Sequence, residues 1–245
     1  MPLTAPKPPD IPPSQTGLDR QRVPSRVPCR EEIAGSTVGV LVRGARTKAD
    51  VLLVDVGEGP MVVKDFFRKP WWVRPLGRLQ VSREARAYRC LESVAGTPRF
   101  VGRVDRYAIA MENVDGEQLA FAESRFREGE THVRRLRALI DRMHAAGVFH
   151  QDLRGRENVL VRPDGQLVLL DLAGAVCLRP GGLAHRLFGP ILRLSDEAAY
   201  LKWKALLTPG RFTAREERFL RRFRFWRALW VFNRKRPEER RGARG

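Results

Sequence analysis

Five residues of this chain have the types and spacing to handle a phosphate group. They are Lys64 in "MVVKDF", Glu84 in "REARAYRCL", Asp152 in "FHQDL", Asn158 in "ENVLV" and Asp171 in "LVLLDL". Phosphoryl transfer asks a protein for a cation to clamp the phosphates, ligands for a metal, and a carboxylate to orient the attacking hydroxyl. Lys64 sits inside an apolar strand pattern, where a lone ammonium can also simply point outward. Glu84 shares a helical stripe with Ala87, Tyr88 and Leu91, and a carboxylate on an apolar face needs a partner. A Lys64–Glu84 pair would aim the ammonium at nucleotide phosphates. Asp152 is either the hydroxyl-orienting group or a turn aspartate, with His150 able to brace its loop. Asp171 closes an apolar strand, where it either faces a metal or ends a hairpin. Mg2+ takes one or two carboxylates together with phosphate oxygens, which suits Asp171 with the amide oxygen of Asn158.

The elements around these residues are legible from periodicity. "VGVLV" (38–42), "VLLVDV" (51–56) and "MVVKDF" (61–66) read as strands, the last two joined at the hairpin signal "GEGP". A helix is expected over 81–93 and strand character over 100–114. Residues 130–147 form an amphipathic helix with Val133, Leu136, Ile140 and Met143 on one stripe and Gly147 at its end. "NVLV" and "LVLLDL" flank the turn "RPDGQ", and the chain is helical from about Ala184. The expected organisation is a Pro-rich extended or disordered lead-in (1–28), a β-rich lobe (29–114), an α-rich lobe (115–210) and a basic aromatic helix (211–245).

Composition bounds the partners. The 245 residues are 43% apolar and carry a net charge of +18, with 15 Lys and Arg against 4 Asp and Glu in residues 202–245. Such a surplus points to an anionic partner (nucleotide, nucleic acid or phosphate-bearing membrane) or to a solvated helix face. Cys29, Cys90 and Cys177 have no CxxC spacing, which argues against a disulfide framework or zinc site and for a reducing compartment. "MPLTAPKPPDIPPSQ" has no apolar core of a secretory signal, and no run reaches the ~18 apolar residues of a membrane span. The expected location is the cytoplasm.

Taken together, "MHAAGVFHQDL", "ENVLV" and "LVLLDLAGA", with "MVVKDF" and "REARAYRCL" upstream, resemble the protein-kinase-like fold over roughly residues 36–205. The sequence is most similar to a small bacterial branch containing lipopolysaccharide core (Kdo and heptose) kinases and RIO kinases. The resemblance implies an α+β, two-lobed fold with a β-rich N-lobe and a reduced α-rich C-lobe. It makes Lys64 and Glu84 the phosphate-orienting pair, Asp152 the catalytic aspartate, and Asn158 and Asp171 the Mg2+ ligands, with ATP as donor. "MENV" resembles the hinge, where backbone groups of Glu112 and Val114 would meet adenine. Asp196, on a later helix, would brace the catalytic loop or lie on the surface.

Three departures bear on activity. The metal-binding Asn falls six residues after Asp152, where the family has it at five. The extra residue is placed in "RGRE" (154–157), with Gly155 absorbing it; alternatively Glu157 takes the ligand role. "DLAG" replaces the family's D-F-G. The phosphate loop "RGARTKAD" (43–50) has only Gly44, with Arg46, Thr47 and Lys48 as donors, or is an exposed basic hairpin tip.

No peptide-binding platform is legible after Asp171, which implies a sugar or lipid-linked sugar acceptor. The tail 215–236 places Phe219, Phe223, Trp226 and Trp230 on one stripe among arginines. That stripe either packs on the large lobe or lies on an anionic membrane, at the inner face of the inner membrane, with "FFRKPWWVRPLGR" (66–78) repeating the chemistry. A RIO-like serine/threonine kinase and an inactive pseudokinase scaffold are the alternatives. A nucleic-acid module explains the charge but leaves the acids without a purpose.

Overall fold

A computed structural model describes residues 24–229, with side chains described to residue 222. A short helix, α1 (Arg30–Gly35), leads into β1 (Thr37–Val42), β2 (Asp50–Asp55) and β3 (Pro60–Asp65). After α2 (Arg74–Cys90) come β4 (Phe100–Arg103) and β5 (Ala108–Glu112). The five strands form one antiparallel sheet in the order β1-β2-β3-β5-β4.

Period-two alternation in β3 decides where its lysine goes. Met61 and Val63 join Val54, Ala108 and Ala110 in a small core covered by Ile33 of α1. Lys64 therefore lies on the opposite face, paired across the sheet with Val51 and Ile109. That face receives α2, whose Val81, Ala85 and Tyr88 pack with Ile109 and Met111. β1 is an outer strand whose pairing with β2 is irregular at two places, and its Val38 and Val42 are exposed.

α2 starts well before the expected 81, with a proline in its first turn, where the missing N–H has no intrahelical partner to lose. Leu76 and Leu79 on the added turns are exposed, so the apolar stripe does not announce them. Gly77 permits a close approach: a Cβ there would lie 2.6 Å from the Phe66 ring. Residues 24–28, expected in the lead-in, are tied down, with the Ser25 and Arg26 amides donating to Glu58 at 3.0 and 3.3 Å. The rest of the lead-in, 1–23, lies outside the described residues.

The second lobe contains β6 (Glu117–Gln118), α3 (Ser124–Arg127), α4 (Gly129–Ala145) and β7 (Val148–Phe149), then β8 (Val159–Val161), β9 (Leu167–Leu169) and β10 (Val176–Cys177). Helices α5 (Leu183–Leu207) and α6 (Ala214–Leu229) follow. The stripe Val133, Leu136, Ile140 and Met143 is buried as expected, and Gly147 ends the helix region at φ +76°. β6-β8-β9 and β10-β7 form two small sheets beneath the first lobe. Trp203 of α5 anchors that helix, donating from Nε1 to the Leu153 carbonyl at 2.9 Å. Phe219 of α6 packs against the core, while the side chains of Phe223, Trp226 and Trp230 lie outside the described residues. Among the described residues no helix is long and apolar enough to cross a membrane.

Candidate active site

Lys64 and Asp171 meet where the two lobes face each other. The Lys64 ammonium donates to Glu84 Oε1 at 2.6 Å and to Asp171 Oδ1 at 2.9 Å. Burial opposes its charge, but Glu84 and then Asp171 outweigh that and hold its pKa above the ordinary lysine value. Burial pushes the Glu84 carboxyl up, with Lys64 and the Leu172 amide opposing. Burial would also raise Asp171, yet Lys64 holds it below the usual aspartate range. The neighbouring Arg83 reaches the Gly174 and Ala175 carbonyls at 3.4 and 3.3 Å. α2 thus grips both the lysine and the segment after Asp171.

The loop bearing Asp152 is held from below. Asp196 of α5, fully buried, accepts from the backbone amides of His150 and Gln151 and from His144 Nε2, each at 2.9 Å. His150 is also buried. Its Nε2 lies 2.9 Å from the Leu170 carbonyl oxygen and its Nδ1 3.4 Å from the Asp152 amide nitrogen, so both ring nitrogens are engaged by backbone groups. Among the described residues, Gln151 and Asp171 are the non-glycine residues with left-handed backbones, at φ 65° and 58°. Such conformations persist only where surrounding bonds enforce them. Here Asp196 and the Leu192 carbonyl hold Gln151, while Lys64 and the Ala173 amide hold Asp171.

A 3-10 turn over Arg156–Asn158 overlaps the 154–157 stretch in which the extra residue was expected. Asn158 is buried by it, and its Nδ2 donates to the Asp152 carbonyl at 2.7 Å. Glu157, the alternative ligand, is exposed on the same turn. Gly155 has an ordinary backbone (φ −61°), so backbone freedom is not what it supplies. Its value is closeness: a Cβ would stand 2.8 Å from Asn158 Nδ2 and 2.9 Å from Glu157 Oε1. Asp152 is exposed. Partial burial of its carboxyl raises its pKa, with Asp171 and Glu157 adding and with His150 and Lys48 opposing.

The β1–β2 turn carries Lys48, whose charge is the weakest of these influences on the Asp152 carboxyl. Gly44 sits in the same turn, tightly packed against the backbone of Ala49. Its amide already donates to Asp50 at 3.0 Å, and a Cβ would lie 2.0 Å from the Ala49 carbonyl oxygen. The buried Lys69, which the sequence did not single out, locks the turn by donating to Asp50 at 2.7 Å and to the Gly44 carbonyl at 3.0 Å. Glu112 ends β5 with its side chain on the Arg99 amide (2.9 Å) and its own amide on the Arg99 carbonyl (2.8 Å). Val114 follows in the linker, half-buried.

The donor set fits a magnesium ion bound with nucleotide. Both recorded bonds to Asp171 fall on Oδ1, and its side chain is 47% exposed. Asn158 spends Nδ2 on the loop, leaving an amide oxygen. Among the described residues no cluster of three or more His, Cys, Asp or Glu could hold a metal by protein ligands alone. Two oxygen ligands completed by phosphates match the habit of Mg2+.

No protein-family model matches the chain. The Rio2 kinase from Chaetomium thermophilum, solved as its ADP/Mg2+-phosphoaspartate complex, superposes on 82% of this chain and 75% of its own, with a TM-score of 0.50 and 17% sequence identity. This chain has the protein-kinase-like fold. A curated protein of Oryza sativa subsp. japonica with the provisional name cyclin-dependent kinase F-2 is 37% identical over 106 residues, 35% of this chain and 32% of its own. The chain thus matches about a third of that relative's length. Within the kinase-like fold Lys64 is bonded to both Glu84 and Asp171, and Asn158 is bonded to the Asp152 carbonyl, with Gly174 of the segment after Asp171 lying against Asp152. Arg83, His144 and Gln151, which also build the site, flank residues the sequence does single out.

Proposed function

We propose that the chain is an ATP- and Mg2+-dependent phosphotransferase acting on an alcohol, a sugar hydroxyl of a lipopolysaccharide-type glycolipid. The observation that carries this is the Lys64 ammonium, held between Glu84 and Asp171 at 2.6 and 2.9 Å on the cleft that Asp152 lines. In this reading Lys64 clamps the α- and β-phosphates and Lys48 contributes charge from the β1–β2 turn. The Glu112 carbonyl and Val114 amide meet adenine. Asp152 orients the acceptor hydroxyl and takes its proton. Mg2+, when bound, offsets phosphate charge, and Asp171 and Asn158 are the residues that would hold it. For the acceptor, support comes from the short chain path after Asp171: residues 178–182 alone separate β10 from α5, which leaves little for a peptide platform. A lipid-linked acceptor would place the protein in the cytoplasm, against the inner face of the inner membrane.

The similarity to Rio2 favours a second reading, a RIO-like serine/threonine protein kinase. Two measurements separate the possibilities. Thermal unfolding with and without Mg-ATP, on wild type and Asp171→Asn, reads the nucleotide site; no shift in either protein points to a pseudokinase scaffold. ADP release stimulated by core glycolipid supports the sugar kinase, whereas phosphate appearing on protein serine or threonine supports the RIO-like reading.

A further inference from the structure

The first half of α5 carries an apolar stripe that the described residues leave uncovered. Leu183, Leu187, Phe188, Ile191 and Leu194 recur at helical spacing and are between 46% and 74% exposed. The second half behaves differently, burying Ala199, Leu201 and Trp203 in the core. Pro190 lies within the first half, where its missing N–H weakens the helix. Five large apolar side chains on one exposed face mark a docking surface.

Charge limits what docks there. Residues 172–195 contain Arg179, Arg186 and Arg193 and no Asp or Glu; Arg186 and Arg193 are exposed on the helix beside the stripe. A second copy would bring another +18 of like charge. RNA would satisfy the arginines and leave the leucines in water. A bilayer with anionic headgroups accepts both, taking aliphatic side chains below the headgroups and arginines at the phosphates.

The position of the stripe gives it a task. Gln151, the residue before Asp152, donates from its side chain to the Leu192 carbonyl at 2.8 Å and accepts at its own carbonyl from Ser195 Oγ at 3.4 Å. The helical turn that shows Ile191 and Leu194 to solvent therefore holds the catalytic loop. We infer that the α5 face formed by Leu183, Leu187, Ile191 and Leu194, flanked by Arg186 and Arg193, seats the protein on an anionic lipid surface and presents membrane-embedded acceptors to Asp152. The task assigned to Asp152 rests on the phosphotransfer reading; the docking surface does not.

The test is partitioning of the full chain, without nucleotide, onto vesicles of phosphatidylcholine alone or with phosphatidylglycerol. Wild type should bind the anionic vesicles and release from them as salt rises. Leu187→Gln with Ile191→Gln should partition at least about tenfold more weakly, and Arg186→Gln with Arg193→Gln should lose the preference for anionic lipid. Unchanged melting temperatures establish that these exposed substitutions leave the fold intact. The inference is overturned if wild type ignores anionic vesicles, if it binds RNA instead, or if the Leu187/Ile191 variant partitions like wild type, which would assign binding to another surface such as the tail. Because binding is read without ATP, a protein that partitions but shows no Mg-ATP shift sinks the phosphotransfer reading alone.

Discussion

Lys64 is bonded at once to Glu84 in the helix above it and to Asp171, 107 positions later, at the far side of the cleft. One ammonium thereby neutralises a buried carboxylate and fixes a half-exposed one. Breaking a buried pair by removing one partner leaves the other charge uncompensated. Lys64→Met should therefore cost about 3 kcal/mol of stability as well as phosphotransfer. The double variant Lys64→Met/Glu84→Met should regain much of the stability and none of the activity. Chemical denaturation checks the first effect and ADP release the second; equal stability of single and double variants would contradict the pairing.

Asp171→Asn should abolish the Mg2+-dependent part of the stabilisation by ATP. For the wild type that stabilisation should reach about 2.7 kcal/mol at 100 times the Kd. The same variant tests the electrostatics without ligand. The pKa of Asp171 is depressed in the folded protein, so its ionic contribution is present above the unfolded value near about 4 and lost as pH falls below it. The melting-temperature gap between wild type and Asp171→Asn should narrow on acidification below about pH 4. A gap independent of pH would remove the charge from the explanation.

Asp152→Ala should reduce turnover by about 10^2- to 10^4-fold while leaving the Mg-ATP thermal shift intact, because this carboxylate is exposed. Loss of the thermal shift would mean that Asp152 acts on nucleotide rather than acceptor.

Asp196→Ala should unfold the loop rather than silence it. Three donors, the His150 and Gln151 amides and His144 Nε2, converge on this buried carboxylate. Orphaning them should cost about 3 kcal/mol or more, a fall in Tm of roughly 6–12 °C, measurable by calorimetry.

Gly155→Ala separates loop shape from stability. The added methyl must displace Asn158 Nδ2 from 2.8 Å, disturbing the residue that holds the Asp152 carbonyl. Turnover should fall about tenfold or more with a change in stability under about 1 kcal/mol. Activity equal to wild type would show that the turn relaxes elsewhere.

The architecture and the order of the acidic residues could be read from the sequence because both are written locally. Alternation in "MVVKDF" places Lys64 on one face, and the stripe around Glu84 places a carboxylate on another. What could not be read comes from distant parts of the chain meeting. Nothing near Gly44 announces that its amide belongs to Asp50 or that Lys69 will close the turn. The start of α2 was hidden because Leu76 and Leu79 face water. Gly155 was legible as a special position, and the physical reason lies in the side chain of Asn158 rather than in backbone torsion.

The outer strand β1 has a bearing on how this protein behaves in concentrated solution. Among the described residues it ends the sheet, with Val38 and Val42 in water, the makings of strand addition from a neighbouring molecule. Its two irregular pairings break the straight hydrogen-bonding row that an incoming strand would follow. The net charge of +18 supplies the other guard by repulsion at a distance. Salt screens that repulsion and leaves the bulges, so colloidal stability at high ionic strength rests on two kinks in one strand.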